Sequence, residues 1–384
     1  MKRKICVVVT ARPSYSRARS ILKAVKDHPD LELQLVIAAS ALLDRYGATD
    51  RTIDEEGFSI DRRVYMILEG ENLVTSAKST GLGVVELATV FDNLKPDVVV
   101  TIADRFETMA TAIAASYLHI PLAHIQGGEV TGSIDEKVRH AVTKLADIHF
   151  VASGPAAERV IKMGEEPSQV HVTGCPSIDV ALKALEDDAK DFDVFEHYSG
   201  VGPRIALDDG YVVVMQHPVT TEYKASRHNI EETLFAIKDL KRPTLWFWPN
   251  VDAGSDGTSN GIRAFRENQS PDHIHFFKSL APEHFIRMLN RADCIVGNSS
   301  VGIRECAFLG LPAINIGGRQ AGRDRGPNVI DVGYNRSEII KGVEAARQVG
   351  RLESDPLYGT GGAGERIAAL LAELPLKTEK RLTY

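Results

Sequence analysis

Val98-Val-Val-Thr-Ile-Ala-Asp-Arg-Phe-Glu107, followed by Pro121-Leu-Ala-His-Ile-Gln-Gly-Gly-Glu129, decides the reading of the fold. Each stretch opens as a short apolar run and ends on polar or glycine residues, the pattern of a strand buried on both faces of a parallel sheet. Ligands of open α/β sheets bind beyond the carboxyl ends of the strands. The two runs therefore bring Asp104, Arg105, Gln126 and Glu129 to one crevice, with Asp135 a turn later. Carboxylates grouped with an arginine suit proton abstraction from a phosphate-bearing substrate. One Asp or Arg at a strand end is often a loop residue or a cap. Five on two consecutive strand ends argue for chemistry.

The same rhythm runs outward in both directions. Lys4 to Thr10 reads as a first strand, Ser16 to His28 as a helix burying Ile21, Leu22 and Val25, and Leu31 to Ala38 as a second strand. The turn Ala11-Arg-Pro-Ser-Tyr-Ser16 lacks the Gly-x-Gly-x-x-Gly dinucleotide fingerprint. Arg12 and Ser16 instead offer a guanidinium and a hydroxyl to an anion or nucleotide, and an N-cap role for Ser14 or Ser16 is the alternative. A short strand near Val64 to Leu68 and a loop around Glu69-Gly-Glu71 precede helices expected from Asn72 to Leu94 and from Phe106 to Tyr117. Ser133-Ile-Asp-Glu136 has the form of a capping box. It places Asp135 in a first helical turn facing the crevice, although Asp135 and Arg139, four apart, would equally suit a surface ion pair. His140 reads either as a crevice residue or as a satisfied core histidine.

Strands at Ile148 to Ala152 and Val170 to Gly174 flank a helix from Pro155 to Met163, and an acidic, aromatic passage from Asp179 to Arg204 separates two domains. The second half repeats the pattern. Tyr211 to Gln216 ends on His217-Pro, Thr244 to Trp248 on Pro249-Asn250, and His273 to Phe277 on Lys278. Asp293 to Gly297 leads to Asn298-Ser-Ser-Val-Gly-Ile-Arg-Glu305, read as the start of a helix whose amides would receive an anion. Glu305 one turn in would accept two ribose hydroxyls, and Pro312 to Ile316 ends on Gly317-Gly-Arg319. The expected fold class is α/β, two Rossmann-like domains facing across a cleft. Residues 1–180 form the domain with the acidic residues, 181–370 the nucleotide-binding domain, and 371–384 a tail leaning back on the first.

Composition agrees. At 384 residues the chain exceeds one ordinary core, and 43% hydrophobic with 25% charged residues is the balance of a soluble globular protein. The net charge, 45 − 52 = −7, favours neither nucleic acid nor an acidic membrane surface. The four cysteines show no Cys-x-x-Cys spacing, and Cys6 and Cys294 sit in apolar runs, as reduced core residues of a cytoplasmic protein do. The N-terminal apolar run is too short for a signal peptide, and no run approaches the roughly 20 apolar residues of a membrane span. No metal-ligand spacing, Gly-x-Ser-x-Gly elbow or Walker motif occurs, so neither metal nor cofactor is expected.

Asp104-Arg-Phe-Glu107, Gly127-Gly-Glu-Val-Thr-Gly-Ser-Ile-Asp-Glu136, Arg139-His-Ala-Val-Thr-Lys-Leu145, Gln216-His-Pro-Val-Thr-Thr-Glu222, Pro249-Asn-Val-Asp-Ala-Gly254 and Gly297-Asn-Ser-Ser-Val-Gly-Ile-Arg-Glu305 together resemble the hydrolysing UDP-N-acetylglucosamine 2-epimerases, in order, from about residue 4 to residue 330. The resemblance implies a glycosyltransferase-B type fold with the active site between two domains. It also implies conversion of UDP-N-acetylglucosamine and water to N-acetylmannosamine and UDP, feeding sialic- or legionaminic-acid biosynthesis, and a homodimer. Carried over position by position, it makes Asp104 and Asp135 two of the acidic catalytic residues and His217 the histidine near the leaving phosphate, with Glu129 a further catalytic candidate beside them. Arg12, Ser16, Arg105, Asn250, Lys278, Ser299, Ser300, Glu305 and Arg319 become nucleotide-sugar contacts. One position departs: these family members carry Glu where this chain has Gln126, which cannot accept a proton. That substitution points to another donor, such as a UDP-2,4-diacetamido-trideoxyhexose or GDP-N-acetylglucosamine. A non-hydrolysing epimerase, a glycosyltransferase and a non-catalytic nucleotide-sugar sensor are the competing readings.

Overall fold

The apolar β-branched runs become parallel strands because each is buried on both faces. The computed structural model describes residues 2–43, 49–69, 73–131, 135–186, 192–249 and 255–383. Its contacts divide the chain into two units, Met1–Glu129 with Ile134–Asp179 and Tyr358–Tyr384, and Val130–Ser133 with Val180–Leu357. The first unit contains β1 (Arg3–Val9), α1 (Arg12–Asp27), β2 (Leu31–Ala38), α2 (Thr49–Glu55), β3 (Arg62–Val64), α3 (Leu73–Leu94), β4 (Val98–Ile102), α4 (Phe106–Tyr117), β5 (Leu122–Ile125), α5 (Asp135–Leu145), β6 (Ile148–Val151), α6 (Gly154–Lys162) and β7 (Val170–Val172). The strands pair in the order β3-β2-β1-β4-β5-β6-β7, all parallel. The winding reverses between β1 and β4, and at such a switch point the loops part to leave a crevice. Arg12 follows β1 and Asp104 follows β4, so both stand at that point.

Helix α7 (Pro176–Glu186) spans the boundary between the units. The second unit then runs through α8 (Val194–His197), β8 (Gly200–Val201), β9 (Val212–Met215), α9 (Ser226–Leu240), β10 (Thr244–Phe247), α10 (Ser255–Gln269), β11 (Ile274–Phe277), α11 (Pro282–Arg291), β12 (Cys294–Gly297), α12 (Glu305–Leu309), β13 (Ala313–Ile316), β14 (Val329–Val332) and α13 (Arg336–Val349). Its sheet has the order β14-β13-β12-β9-β10-β11-β8, with only the short edge strand β8 antiparallel among the described strands. The switch point here lies between β12 and β9, where His217 and Asn298 emerge.

Several expectations are corrected. The expected second domain ended at residue 370, whereas α14 (Ala363–Glu373) belongs to the first unit. Its Ile367, Ala368 and Leu371 complete the core that holds Ile21, Leu22 and Val25 of α1. Burying one such side chain contributes about 1.5–3 kcal/mol, so a one-sided apolar helix goes where a matching face is open. Helix α1 starts at Arg12, four residues earlier than read, because Pro13 is preset for a first turn; Ala11 is the N-cap, and neither Ser14 nor Ser16 caps it. The strand read at Val64 to Leu68 is the three-residue β3, shifted two residues earlier. Helix α10 and strands β8 and β14 were not anticipated. Gly70 and Glu71 lie outside the described residues.

Candidate active site

In the first unit, the residues beyond β4 and β5 are organised by one arginine. Arg139 lies on the buried face of α5 with 1% of its side chain exposed, so the alternative that read it as a surface residue does not hold. Its Nη2 pairs with Asp104 Oδ2, and its Nη1 donates to the Glu129 carbonyl at 2.8 Å and to Glu136 Oε2 at 3.2 Å. A buried guanidinium needs such partners, because removing one would leave charge in a poorly solvating interior. Glu136 also meets His140 Nε2 at 2.8 Å. Ser133, the other half of the expected capping box, lies outside the described residues. Asp135 is the first residue of α5 and half-buried, while Glu129 is 2% exposed. Arg105 lies against the fully buried Glu107, its Nε 3.2 Å from Oε2.

The β5 end is tightly drawn. Gln126 has φ 66°, in the left-handed region that few side chains adopt. Its Oε1 accepts from Arg17 Nη1 at 3.2 Å, and its Nε2 donates to Cys175 Sγ at 2.9 Å. Gly128 has φ 74°, and a Cβ there would stand 2.2 Å from the Ala156 carbonyl oxygen. Only glycine fits. Arg17, in the second turn of α1, was missed by the sequence reading; five residues from Arg12, it lies off the face that Arg12 shares with Ser16 and so carried no periodic signal.

In the second unit the strand ends are joined by amides. His217 N–H donates to Asn298 Oδ1 at 2.7 Å, and Asn298 Nδ2 donates back to the His217 carbonyl at 2.8 Å. The Asn298 carbonyl accepts from Arg319 Nη1 at 3.1 Å and Gln320 Nε2 at 2.9 Å. Gly297 makes the bend possible, since a Cβ would lie 2.1 Å from the Met215 carbonyl oxygen. The expected continuous helix after Ser299 is corrected. A three-residue turn, Ser300–Gly302, capped by Ser299 Oγ on Val301 N–H, is separated from α12 by Ile303 and Arg304, so Glu305 is the first residue of α12. Pieces this short sum little dipole. Arg304 beside them is 2% exposed and donates to Ser300 Oγ at 2.9 Å. Burial, with Glu222 nearby, raises the Tyr334 phenol to about 12, so it stays protonated as a donor.

Of the expected contacts, Arg12 is half-buried at the first switch point and Ser16 lies one turn inside α1. His217 is 5% exposed, Glu305 is buried, and Lys278 is exposed just beyond β11. Asn250 lies outside the described residues. Besides Arg17, the reading missed the structural parts of Arg139, Asn298 and Gln320.

Comparisons with known proteins bear on these two strand-end groups. The family model described as UDP-N-acetylglucosamine 2-epimerase matches residues 23–372. The UDP-N,N'-diacetylbacillosamine 2-epimerase (hydrolyzing) of Legionella pneumophila is 32% identical over 379 residues, covering 99% of this chain and 98% of that protein. The GDP/UDP-N,N'-diacetylbacillosamine 2-epimerase (hydrolyzing) of Campylobacter jejuni is 30% identical, covering 87% and 85%. The crystal structure of UDP-GlcNAc 2-epimerase from Neisseria meningitidis bound to UDP-GlcNAc superimposes with a TM-score of 0.81 at 18% identity, covering 97% of this chain and all of that one, which shows the shared fold.

Proposed function

The chain belongs to the UDP-N-acetylglucosamine 2-epimerase family and is a nucleotide-sugar 2-epimerase; on that premise we propose that it hydrolyses a UDP-linked 2-acetamido sugar, releasing the free 2-epimeric sugar and UDP. The observation that carries the proposal is Asp104, set at the first switch point by the buried Arg139 and accompanied by Glu129 and Asp135. The sugar C2 proton is weakly acidic, so a fixed carboxylate must take it as the C1–O bond to the nucleotide breaks. The electron pair of the C2–H bond becomes the C1–C2 double bond of a glycal, and the nucleoside diphosphate leaves with the C1–O pair. Water then adds its hydroxyl to C1, and C2 receives a proton on the opposite face. In this reading Asp104 removes the first proton, and Glu129 or Asp135 returns the second.

Gln126 binds rather than transfers protons, since an amide does not titrate in the working range. Arg12, Ser16, Arg105, Lys278, Ser299, Ser300, Glu305 and Arg319 hold the nucleotide, and His217 meets the departing phosphate. The Legionella and Campylobacter relatives favour a 2,4-diacetamido-trideoxy donor over UDP-N-acetylglucosamine, and with it a product used for nonulosonic acids of the legionaminic type. A homodimer belongs to the proposal, supported by the exposed Leu73, Val74, Leu82 and Val85 along α3. So does a reducing, cytoplasmic setting, supported by four buried free cysteines. No helix among the described residues is long and apolar enough to cross a membrane.

Proton NMR in D2O tests the reaction, with UDP-N-acetylglucosamine, UDP-N,N'-diacetylbacillosamine and GDP-N-acetylglucosamine as donors. Free 2-epimeric sugar deuterated at C2, with nucleoside diphosphate released, is the expected result and identifies the donor. Deuterium at C2 of a sugar still bound to nucleotide would replace hydrolysis by non-hydrolysing epimerisation, and no exchange with any donor would overturn the proposal.

A further inference from the structure

A polar side chain with no solvent exposure lies directly behind Asp104. His124, the third residue of β5, is 0% exposed, and its two ring nitrogens reach two different elements. Nε2 stands 2.9 Å from the carbonyl oxygen of Ala103 at the end of β4. Nδ1 stands 3.1 Å from Oγ1 of Thr143 on α5. A carbonyl only accepts, so Nε2 carries the hydrogen, and Nδ1 accepts the Thr143 hydroxyl proton. Burial, the dominant influence, lowers the ring to about 3, so this tautomer persists across the working pH range.

Both contacts bear on Asp104. Ala103 has φ 66°, a conformation an alanine seldom adopts, and the residue that follows it is Asp104. Two hydrogen bonds hold that residue, one through each of its flanking peptides: Ala103 N–H donates to the Ile125 carbonyl at 3.0 Å, and the Ala103 carbonyl accepts from His124. Thr143 is four residues beyond Arg139, on the same buried face of α5. Helix α5 therefore grips the β4 turn twice, at the Asp104 carboxylate through Arg139 and at the preceding peptide through Thr143 and His124. The same helix begins with Asp135. Space for the link comes from Gly127, where a Cβ would lie 3.0 Å from Thr143 Oγ1 and 3.1 Å from His124 Nδ1.

We propose that His124 is a positioning residue for the reaction: as a neutral Nε2–H donor it fixes the turn that aims Asp104 and keeps that turn in register with the helix that carries Asp135. The proposal rests on the reading of Asp104 as a proton-transfer residue. An ordinary satisfied core histidine would contribute to stability and leave turnover per folded molecule unchanged. This one sets turnover, because a displacement of about 1 Å at a reacting carboxylate costs on the order of a hundredfold in rate.

Asparagine and glutamine separate the two contacts, since the Asn amide nitrogen stands near ring Nδ1 and the Gln amide nitrogen near ring Nε2. His124→Asn and His124→Gln are compared with wild type for kcat and KM on the donor identified above, UDP affinity by calorimetry, and Tm. His124→Asn is expected to lose about a hundredfold in kcat with UDP affinity within twofold of wild type. His124→Gln, which restores a donor to Ala103, is expected to recover to within about tenfold of wild type. Unchanged kcat in folded His124→Asn overturns the proposal, as does an equal loss in both variants. Should His124→Asn not fold, Gly127→Ala decides, because its methyl presses on Thr143 and His124; a fall of about tenfold in kcat is expected, and wild-type kcat overturns the proposal. Asp104→Asn is run alongside. If it stays fully active, the reading of Asp104 fails and this proposal with it; if it is inactive while His124→Asn is not, this proposal alone fails.

Discussion

The two units end their sheets in different ways. Beyond β4 and β5 the first unit carries ionised groups tied by charge, with Arg139 on Asp104 and Glu136 and Arg105 against Glu107. Beyond β9 and β12 the second unit carries hydrogen bonds to neutral amide and carbonyl groups, His217 and Asn298 exchanging backbone and amide contacts while the Arg319 guanidinium and the Gln320 amide donate to the Asn298 carbonyl. In the proposed reaction, one architecture serves two electrostatic purposes. Carboxylates that move protons need a counter-charge that fixes them without dispersing their charge into water. A site that receives a phosphate needs donors set in place by neutral partners. On this reading, substitutions in the first unit act on kcat and those in the second on nucleotide affinity.

The largest expected effect is that of Asp104→Asn, which keeps shape and removes the base. Its kcat should fall about a thousandfold, equivalent to roughly 4 kcal/mol, with UDP affinity unchanged by calorimetry. An equal loss of UDP affinity would dissolve the contrast between the units. Next is Arg139→Met, which leaves Asp104 without its counter-charge and should cost about 3 kcal/mol of stability in urea unfolding as well as activity. If stability held, Arg139 would have to be surrounded by more water than its 1% exposure allows.

Titration sharpens the first unit further. Burial holds His124 at about 3 and lowers His149, whose Nε2 meets Glu165 at 3.0 Å. Both folded values lie below that of the unfolded chain, so their contribution is complete above pH 6.5 and is lost as pH falls below it, where only the unfolded chain takes up the proton; for His124 the loss continues towards pH 3. For His124 the slope is at most about 1.4 kcal/mol per pH unit. Urea unfolding at pH 7.5, 6.5 and 5.5 should show the decline, and His124→Gln should flatten it; an identical slope in that variant would put the titration elsewhere. The smallest expected effect belongs to the second unit. Glu305→Gln should weaken UDP binding about fivefold, or roughly 1 kcal/mol, with kcat within twofold. A larger fall in kcat than in affinity would move Glu305 to the catalytic side of the comparison.

Strands were the most legible features, because a strand buried on both faces must be a short apolar run, and β4, β5, β9 and β12 lie within the runs read for them. Residues just past those runs were legible for the same reason: chain order alone puts Asp104, Gln126, His217 and Asn298 at strand ends. Helix starts were less so. The start of α1 depended on Pro13 rather than on the serines, and the break after Ser300 leaves no mark in the periodicity.

The sequence by itself determined two parallel-sheet units, the chemical types at their strand ends and the family, because local burial pattern and motif order require no knowledge of distant contacts. Tertiary structure alone decided which unit α14 completes, which carboxylate Arg139 holds and what His124 touches. Those depend on residues far apart in the chain competing for the same buried space, where a charge or polar group is stable only beside the partner that packing delivers.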